Sequence, residues 1–384
     1  MATTSRSREP AVLAARRDAL QVDARAGRIR RVLAIRFSRL GDVIFTTPAL
    51  SLLHERLPGV CIDYLAGGPA GALVRHHPAV NEVLRFEPGW HRPNWVLRRP
   101  WLVREIARRG YDLALVFESD QPTRDWLERV CARAGVRHVM SRSSLVQPAG
   151  LPPAVHSCEK HLRLLTPLGL VPDARPYEVF PGPEDIARAD ALLRAHAAEA
   201  VRPLVGIQAG AHYTRFPDRL LRSVGLRHKT YKAWPAAHWG ELARRLVAER
   251  GARLVLTGTA GERALAEEIA ARAGAPPELA PLVVAGATSV GTLAALVART
   301  DVFVSIDTGT MHLAAALGVP TVALFGPTDS AHHGPYGQRG TARVVRSGIA
   351  CSPCKKPARK ACTLNRCLAE LEPKQVLAAV EELL

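Results

Sequence analysis

The sequence predicts an α/β protein of two Rossmann-like, doubly wound parallel-sheet lobes, and three observations predict it. The 384 residues exceed what one hydrophobic core ordinarily serves, so two domains are expected. Short apolar runs alternate with helix-length segments, the pattern of parallel strands joined by crossover helices. The alternation pauses in a proline-bearing stretch between Pro148 and Pro183 and then restarts. A hydrophobic content of 47% excludes a disordered or fibrous chain.

Taken in order, residues 1–28 read as a basic tail: ten arginines fall within the first forty positions, and a mobile arm is expected there. The first domain is expected over 29–182. Strand Arg31–Phe37 leads through Ser38–Asp42 into a helix from Val43 to Arg56. Strand Cys61–Ala66, a helix at Ala70–His76, strand Glu82–Phe86, a helix at 97–109, strand Tyr111–Phe117, helix Arg124–Ala134 and a strand at 136–140 follow. The second domain is expected over 183–350, opening with a connecting helix at 184–199. It continues with strand Leu204–Gln208, helix Pro235–Arg250, strand Arg253–Thr257, helix Glu262–Ala273, strand Leu282–Ala285 and helix Val290–Arg299. Strand Val302–Ile306, helix Gly309–Leu317 and strand Thr321–Phe325 complete it. Residues 351–384 are expected as a cysteine-containing loop and a closing helix, Pro373–Leu384. Two such lobes are expected to face each other across a cleft at the carboxyl ends of their strands, where ligands bind.

The formal charge of +17 favours a polyanionic partner, whether nucleic acid, anionic membrane or acidic substrate; drift of a GC-rich genome toward arginine gives the same balance. The polar N-terminus lacks the apolar segment of a signal peptide, and no run approaches the roughly 18 apolar residues of a membrane span. Seven cysteines, an odd number, do not suit a secreted disulfide framework. A soluble cytoplasmic protein able to touch a membrane surface is expected.

Two strand ends carry candidate chemistry. At Ser305-Ile306-Asp307-Thr308-Gly309-Thr310-Met311-His312 an apolar strand runs into a helix whose free N–H groups would face an anion, with Gly309 allowing close approach and His312 one turn in. The same residues suit a plain capped helix with Asp307 as cap. At Phe37-Ser38-Arg39-Leu40-Gly41-Asp42 a second strand feeds a glycine turn, and Asp42 could take a proton from a hydroxyl or could cap the helix. No Gly-x-Gly-x-x-Gly follows a strand and no Gly-Lys-Ser/Thr occurs, which argues against a dehydrogenase or a P-loop enzyme.

The segments Arg36-x-Ser38-x-x-Gly41-Asp42-Val43 with Thr47-Pro48, Lys232-x-Trp234-Pro235 with Trp239, Asp307-Thr308-Gly309-x-x-His312-Leu313-Ala314-Ala315-Ala316-x-Gly318-x-Pro320-Thr321 and Leu324-Phe325-Gly326-Pro327-Thr328-Asp329 resemble glycosyltransferase family 9, the ADP-heptose:lipopolysaccharide heptosyltransferases. The resemblance runs from about Arg30 onward. It implies a GT-B fold, inversion at the sugar, and transfer without a metal or other cofactor. It implies that Asp42 is the general base, that Lys232 meets the donor phosphates, and that Thr308, Gly309 and His312 cradle the diphosphate while Asp307 shapes that turn or reaches the sugar. Gln208, Gly210, Gly258 and Glu262 would flank the nucleotide, with Glu262 on the ribose or, equally, serving as a first-turn helix residue. Ser38, Arg39 and Gly41 would meet the acceptor; Arg92, Trp95 and Arg98 suit a basic aromatic edge for carboxylates or phosphates, or a lobe edge whose Trp residues simply pack.

The implied partners are a nucleotide-sugar, ADP-heptose, an acidic lipid A–core acceptor, and peripherally the inner face of the cytoplasmic membrane. A basic stretch at 211–233, holding Arg215, Arg219, Arg222, Arg227, His228 and Lys229, departs from the family pattern; it suits a lid, an acceptor grip or a solvated loop. Cys351, Cys354, Cys362 and Cys367 suit a structural four-thiolate zinc or iron–sulfur site, or free thiols. Competing functions are transfer with another nucleotide-sugar or acceptor, sugar-nucleotide epimerisation, and nucleic-acid binding by a basic protein.

Overall fold

The computed structural model describes residues 9–37, 39–86, 95–144, 156–198, 201–210, 232–337, 341–354, 362 and 365–384. The chain divides into two compact units, Met1–Phe180 and Pro181–Leu384.

The first unit opens with helix α1 (Glu9–Arg25), where a mobile arm was expected. Leu20 anchors it, 3% exposed among Ile29, Leu164 and Leu168. Asp23 accepts hydrogen bonds from His138 Nε2 at 2.8 Å and Arg28 Nε at 2.7 Å. The arginine-rich composition concealed this because one leucine and one aspartate are enough to tie down the helix end. Strand β1 (Arg31–Arg36) then leads to α2 (Leu40–Ile44) and α3 (Thr47–Arg56). The single helix expected from Val43 to Arg56 is thus two; Pro48 sits in the first turn of α3, where a missing N–H costs nothing, and so marks a new start. Strands β2 (Cys61–Ala66) and β3 (Glu82–Arg85), helix α4 (Trp95–Arg109), β4 (Leu113–Val116), α5 (Gln121–Arg133), β5 (His138–Ser141) and α6 (Ser157–Leu162) follow. The Asp120 side chain caps α5 by accepting from the Thr123 amide.

All pairs in this sheet are parallel, in the order β3-β2-β1-β4-β5. Both faces are covered, which is why the strands read as continuous apolar runs. Val32 and Ala34 pack toward Leu50, Leu53 and Tyr64 on one face, while Leu33 and Ile35 pack toward Leu102, Ile106 and Leu127 on the other.

The second unit holds α7 (Pro183–Ala195), β6 (Leu204–Gln208), α8 (Ala236–Arg250), β7 (Arg253–Leu256), α9 (Arg263–Arg272), β8 (Leu282–Val283), α10 (Val290–Val297), β9 (Val302–Ile306), α11 (Gly309–Ala316), β10 (Thr321–Leu324), α12 (Ser330–His333), β11 (Ala342–Val345), α13 (Arg366–Ala369) and α14 (Pro373–Glu381). Its parallel sheet is ordered β11-β10-β9-β6-β7-β8. Strand β11 was not expected: it lies at the sheet edge, is only partly buried and carries Arg343, so it lacks an apolar run. Residues 373–380 pack into this unit's core, with Val376, Leu377 and Val380 joining Leu246, Val322 and Leu324. Among the described residues no helix is long and apolar enough to cross a membrane.

Candidate active site

Each unit gathers charged side chains where its central strands end. In the first, β1 ends on Arg36, which is 3% exposed. Its guanidinium donates to the Phe117 carbonyl and meets Glu118 Oε2 at 3.4 Å and Asp42 Oδ1 at 2.9 Å. Glu118, equally buried, also accepts from the Phe37 amide at 2.6 Å, tying the end of β4 to the turn after β1. Arg36 Nε is buried without a partner. Asp42 lies within α2, with its side chain about one-third exposed (34%), and Gly41 beside it is buried. The arrangement presents a carboxylate to solvent on a buried cation that two anions share. Arg39 is the N-cap of α2. Ser38 and Arg92 lie outside the described residues; Trp95 and Arg98 fall in α4, which starts two residues before the expected helix, and their side chains lie outside the description as well.

In the second unit, Asp307 follows β9 and is 8% exposed. Lys232 Nζ meets its Oδ2 at 2.5 Å and donates to its carbonyl at 3.3 Å, while Thr328 Oγ1 donates to Oδ2 at 2.7 Å. Burial pushes the Asp307 carboxyl up, but the Lys232 charge, with the Lys232 and Thr328 hydrogen bonds, outweighs it and holds the group below the usual carboxylate range. Thr308 is the N-cap of α11 in extended geometry, its hydroxyl 3.1 Å from Ser305 Oγ and not spent on the cap. Gly309 begins the helix, and His312, 4% exposed, lies one turn in. Asp307 is therefore not the helix cap. Lys232 and the free amides of α11 instead supply positive charge at one place.

The nucleotide-flanking candidates form a third group in the same unit. Glu262 is buried and accepts from the Thr259 amide at 2.7 Å and hydroxyl at 3.0 Å, closing a capping box. Gly210 leaves room for it: a Cβ there would lie 2.6 Å from the Glu262 carboxyl carbon. Gly258, at φ +157°, takes a backbone conformation that favours glycine. Gln208 spends both ends of its amide internally, donating to the Gly210 carbonyl at 2.8 Å and accepting from Thr257 Oγ1 at 2.9 Å. These two bonds hold it against the end of β6.

Glu118 and Thr328, the partners that set these two charge clusters, were missed by sequence reasoning. Glu118 did carry a signal, since it stands at the end of the apolar run Leu113–Phe117, where a buried charge needs a reason.

The expectation of a structural metal at the four cysteines is not supported. Among the described residues no group of three or more His, Cys, Asp or Glu side chains is placed to hold a metal ion. None of the four is in a disulfide: Cys351 and Cys362 are exposed, whereas Cys367 is buried against Gly326. Burial, with smaller contributions from Cys354, Cys362 and Cys351, pushes the Cys367 thiol up to about 11, which leaves it protonated.

Comparison with known proteins bears on the fold and the family. The family model "Glycosyltransferase family 9 (heptosyltransferase)" matches residues 224–364. Lipopolysaccharide heptosyltransferase 1 of Pseudomonas aeruginosa is 31% identical, over 92% of this chain and 98% of that protein. Lipopolysaccharide heptosyltransferase 2 of Salmonella typhimurium is 26% identical over the same shares of the two chains. Among solved structures, a family 9 glycosyltransferase from Veillonella parvula superposes with a TM-score of 0.74 at 22% identity, covering 92% of this chain and 97% of that one. The ADP-heptose LPS heptosyltransferase II of E. coli gives 0.70 at 22% identity, covering 92% and 98%. The two-sheet fold is therefore the GT-B fold of those enzymes, and by its likeness to the Pseudomonas enzyme along nearly its whole length the chain belongs to glycosyltransferase family 9.

Proposed function

We propose that this glycosyltransferase moves heptose from ADP-heptose onto the inner core of lipopolysaccharide, on an acidic acceptor built of Kdo or heptose on lipid A, with inversion and without a metal. The observation that carries the reading is the coincidence of Lys232 with the start of α11, beside the buried Asp307. Departure of a nucleoside diphosphate builds negative charge on phosphate oxygens, and a fixed ammonium plus helix amides stabilise it where it forms. Thr308, Gly309 and His312 line the diphosphate, and Lys232 neutralises it. Gly210, Gly258 and Glu262 shape the nucleoside side, with Gln208 propping the strand beneath.

Asp42 takes the proton of the attacking hydroxyl, and attack opposite the leaving group inverts the anomeric centre. Ser38, Arg39 and Gly41, with Arg92, Trp95 and Arg98, contact the acceptor. Such an acceptor is an amphiphile, so the protein works in the cytoplasm at the inner face of the membrane.

The test is transfer by the purified chain, with ADP-heptose and other nucleotide-sugars offered against a truncated lipid A–Kdo acceptor. ADP-heptose is expected to be the preferred donor and to raise the melting temperature by binding the folded state. Failure of every nucleotide-sugar to shift melting sinks the donor site; equal turnover with an unrelated donor sinks the heptose assignment.

A further inference from the structure

Helices α4 and α5 leave a groove of about 970 Å³ between them. Its floor is apolar, with Val103, Trp126 and Val130, and Arg104, Arg129 and Arg133 rim it. All three arginines are exposed, and among the described residues none has a carboxylate within ion-pair distance. Arg129 and Arg133 stand one turn apart on the same helix face, where like charges repel and destabilise the helix. Elsewhere on α4 the opposite solution is used: Glu105 pairs with both Arg108 and Arg109. Asp120 also lines the groove, but it is committed to capping α5. Beside the groove, Trp101, one turn before Arg104, is 52% exposed and stacks flat on Phe86 with ring centroids 6.3 Å apart.

We infer that this face of α4 and α5 docks on an anionic bilayer, with the three arginines among lipid phosphates and Trp101 at headgroup depth. The charge argument selects this occupant: three unpaired cations flanking apolar surface complement a surface that is anionic at its face and apolar beneath. Trp at the rim fits, because an amphipathic indole partitions to the membrane–water interface. The inference rests on the membrane-bound acceptor proposed above, and it gives the protein its own hold on the surface that carries that acceptor.

The test is co-sedimentation of the full chain with phosphatidylcholine vesicles, with and without phosphatidylglycerol. Binding is expected only to the anionic vesicles and is expected to fall with salt. Each basic residue at such a surface contributes about fivefold, so Arg104→Glu/Arg129→Glu/Arg133→Glu is expected to weaken partitioning by about 100-fold or more. An equal charge change in the second unit, Arg188→Glu/Arg194→Glu/Arg244→Glu, is expected to bind nearly as the unaltered chain, and Trp101→Ser to bind less well. Both triple variants are expected to use a deacylated, soluble acceptor at the unaltered rate.

The inference is overturned if the unaltered chain ignores anionic vesicles, if the groove variant partitions normally, or if Trp101→Ser changes nothing. It is also overturned if the groove variant raises KM for the soluble acceptor, which would make the groove an acceptor subsite instead. A chain that binds vesicles through the groove but transfers no heptose leaves the docking surface standing and defeats the proposed activity alone.

Discussion

The two charge clusters use the same materials in different proportions. In the first unit one buried cation, Arg36, meets two carboxylates, Asp42 and Glu118. In the second, one cation, Lys232, meets one carboxylate, Asp307, at the start of an eight-residue helix. Two carboxylates share the first cation, whereas the second has one carboxylate and stands beside the partial positive charge of a helix end. On the proposed reading, the carboxylate-rich cluster takes up a proton and the one at the helix end receives a phosphate. On that reading, the proportion of carboxylate to cation within a cluster, more than the identity of any single side chain, separates a proton-accepting site from an anion-binding one.

The sharpest way to break the comparison is Asp42→Asn, which keeps the shape and removes the proton acceptor. Turnover is expected to fall by about 10²–10⁴, the usual contribution of general base catalysis, while calorimetry finds donor affinity intact. Normal turnover would leave the first cluster a structural one. Next in size is Lys232→Met, expected to cost about 10²–10³ in kcat and to weaken donor binding. It also leaves Asp307 buried and uncompensated, so the double variant Lys232→Met/Asp307→Asn is expected to regain stability and not activity. Recovery of activity in the double variant would show that Lys232 serves only to balance Asp307.

Acid is expected to act on the first unit. His77, 3% exposed, is held down to about 4, first by burial and then by His54. The folded state keeps this imidazole neutral while the unfolded chain protonates near 6.5, so stability is full above that value and declines as pH falls from 6.5 toward 4, by at most on the order of 3 kcal/mol. Its Nδ1 accepts from the Ala79 amide and its Nε2 lies 3.3 Å from Ser51 of α3. Hydrogen exchange corrected for intrinsic rate is expected to show protection lost in α3 over this range, and His77→Asn is expected to flatten the loss. The smallest effect is Gly210→Ala, whose new methyl would press on Glu262; a loss of about 1–3 kcal/mol and weaker nucleotide binding are expected, read by thermal melting with and without ADP.

The strands were largely legible because parallel sheets covered on both faces demand unbroken apolar runs, and Arg31–Arg36, Leu204–Gln208 and Val302–Ile306 obey that demand. Strand Ala342–Val345 was not, since an edge strand needs only one neighbour and tolerates Arg343. Asp42 and Asp307 stand out in the sequence by their places after apolar runs and Lys232 by the family motifs alone, and the roles proposed for them rest on the resemblance. The Glu262–Gly210 contact and the Glu118–Arg36 and Thr328–Asp307 partnerships were not legible there, because tertiary packing joins residues far apart in the chain in ways no local period records. The helix at 9–25 was hidden by its own charge, since its attachment depends on Asp23 meeting His138, 115 residues away.

One feature of the second unit bears on how the protein is made. The segment holding Lys232 is fastened by residues that leave the ribosome much later: Asn365 Nδ2 donates to the Ala233 carbonyl at 2.8 Å, and Trp234 Nε1 donates to the Leu371 carbonyl at 2.8 Å, across separations of 132 and 137 positions. The first unit can fold as soon as its own residues have emerged. These two anchors of the lysine's segment form only when the 365–371 segment docks. A nascent chain therefore passes through a stage in which the segment of Lys232 still lacks two of its anchors, so that on the proposed reading competence for the donor arrives last.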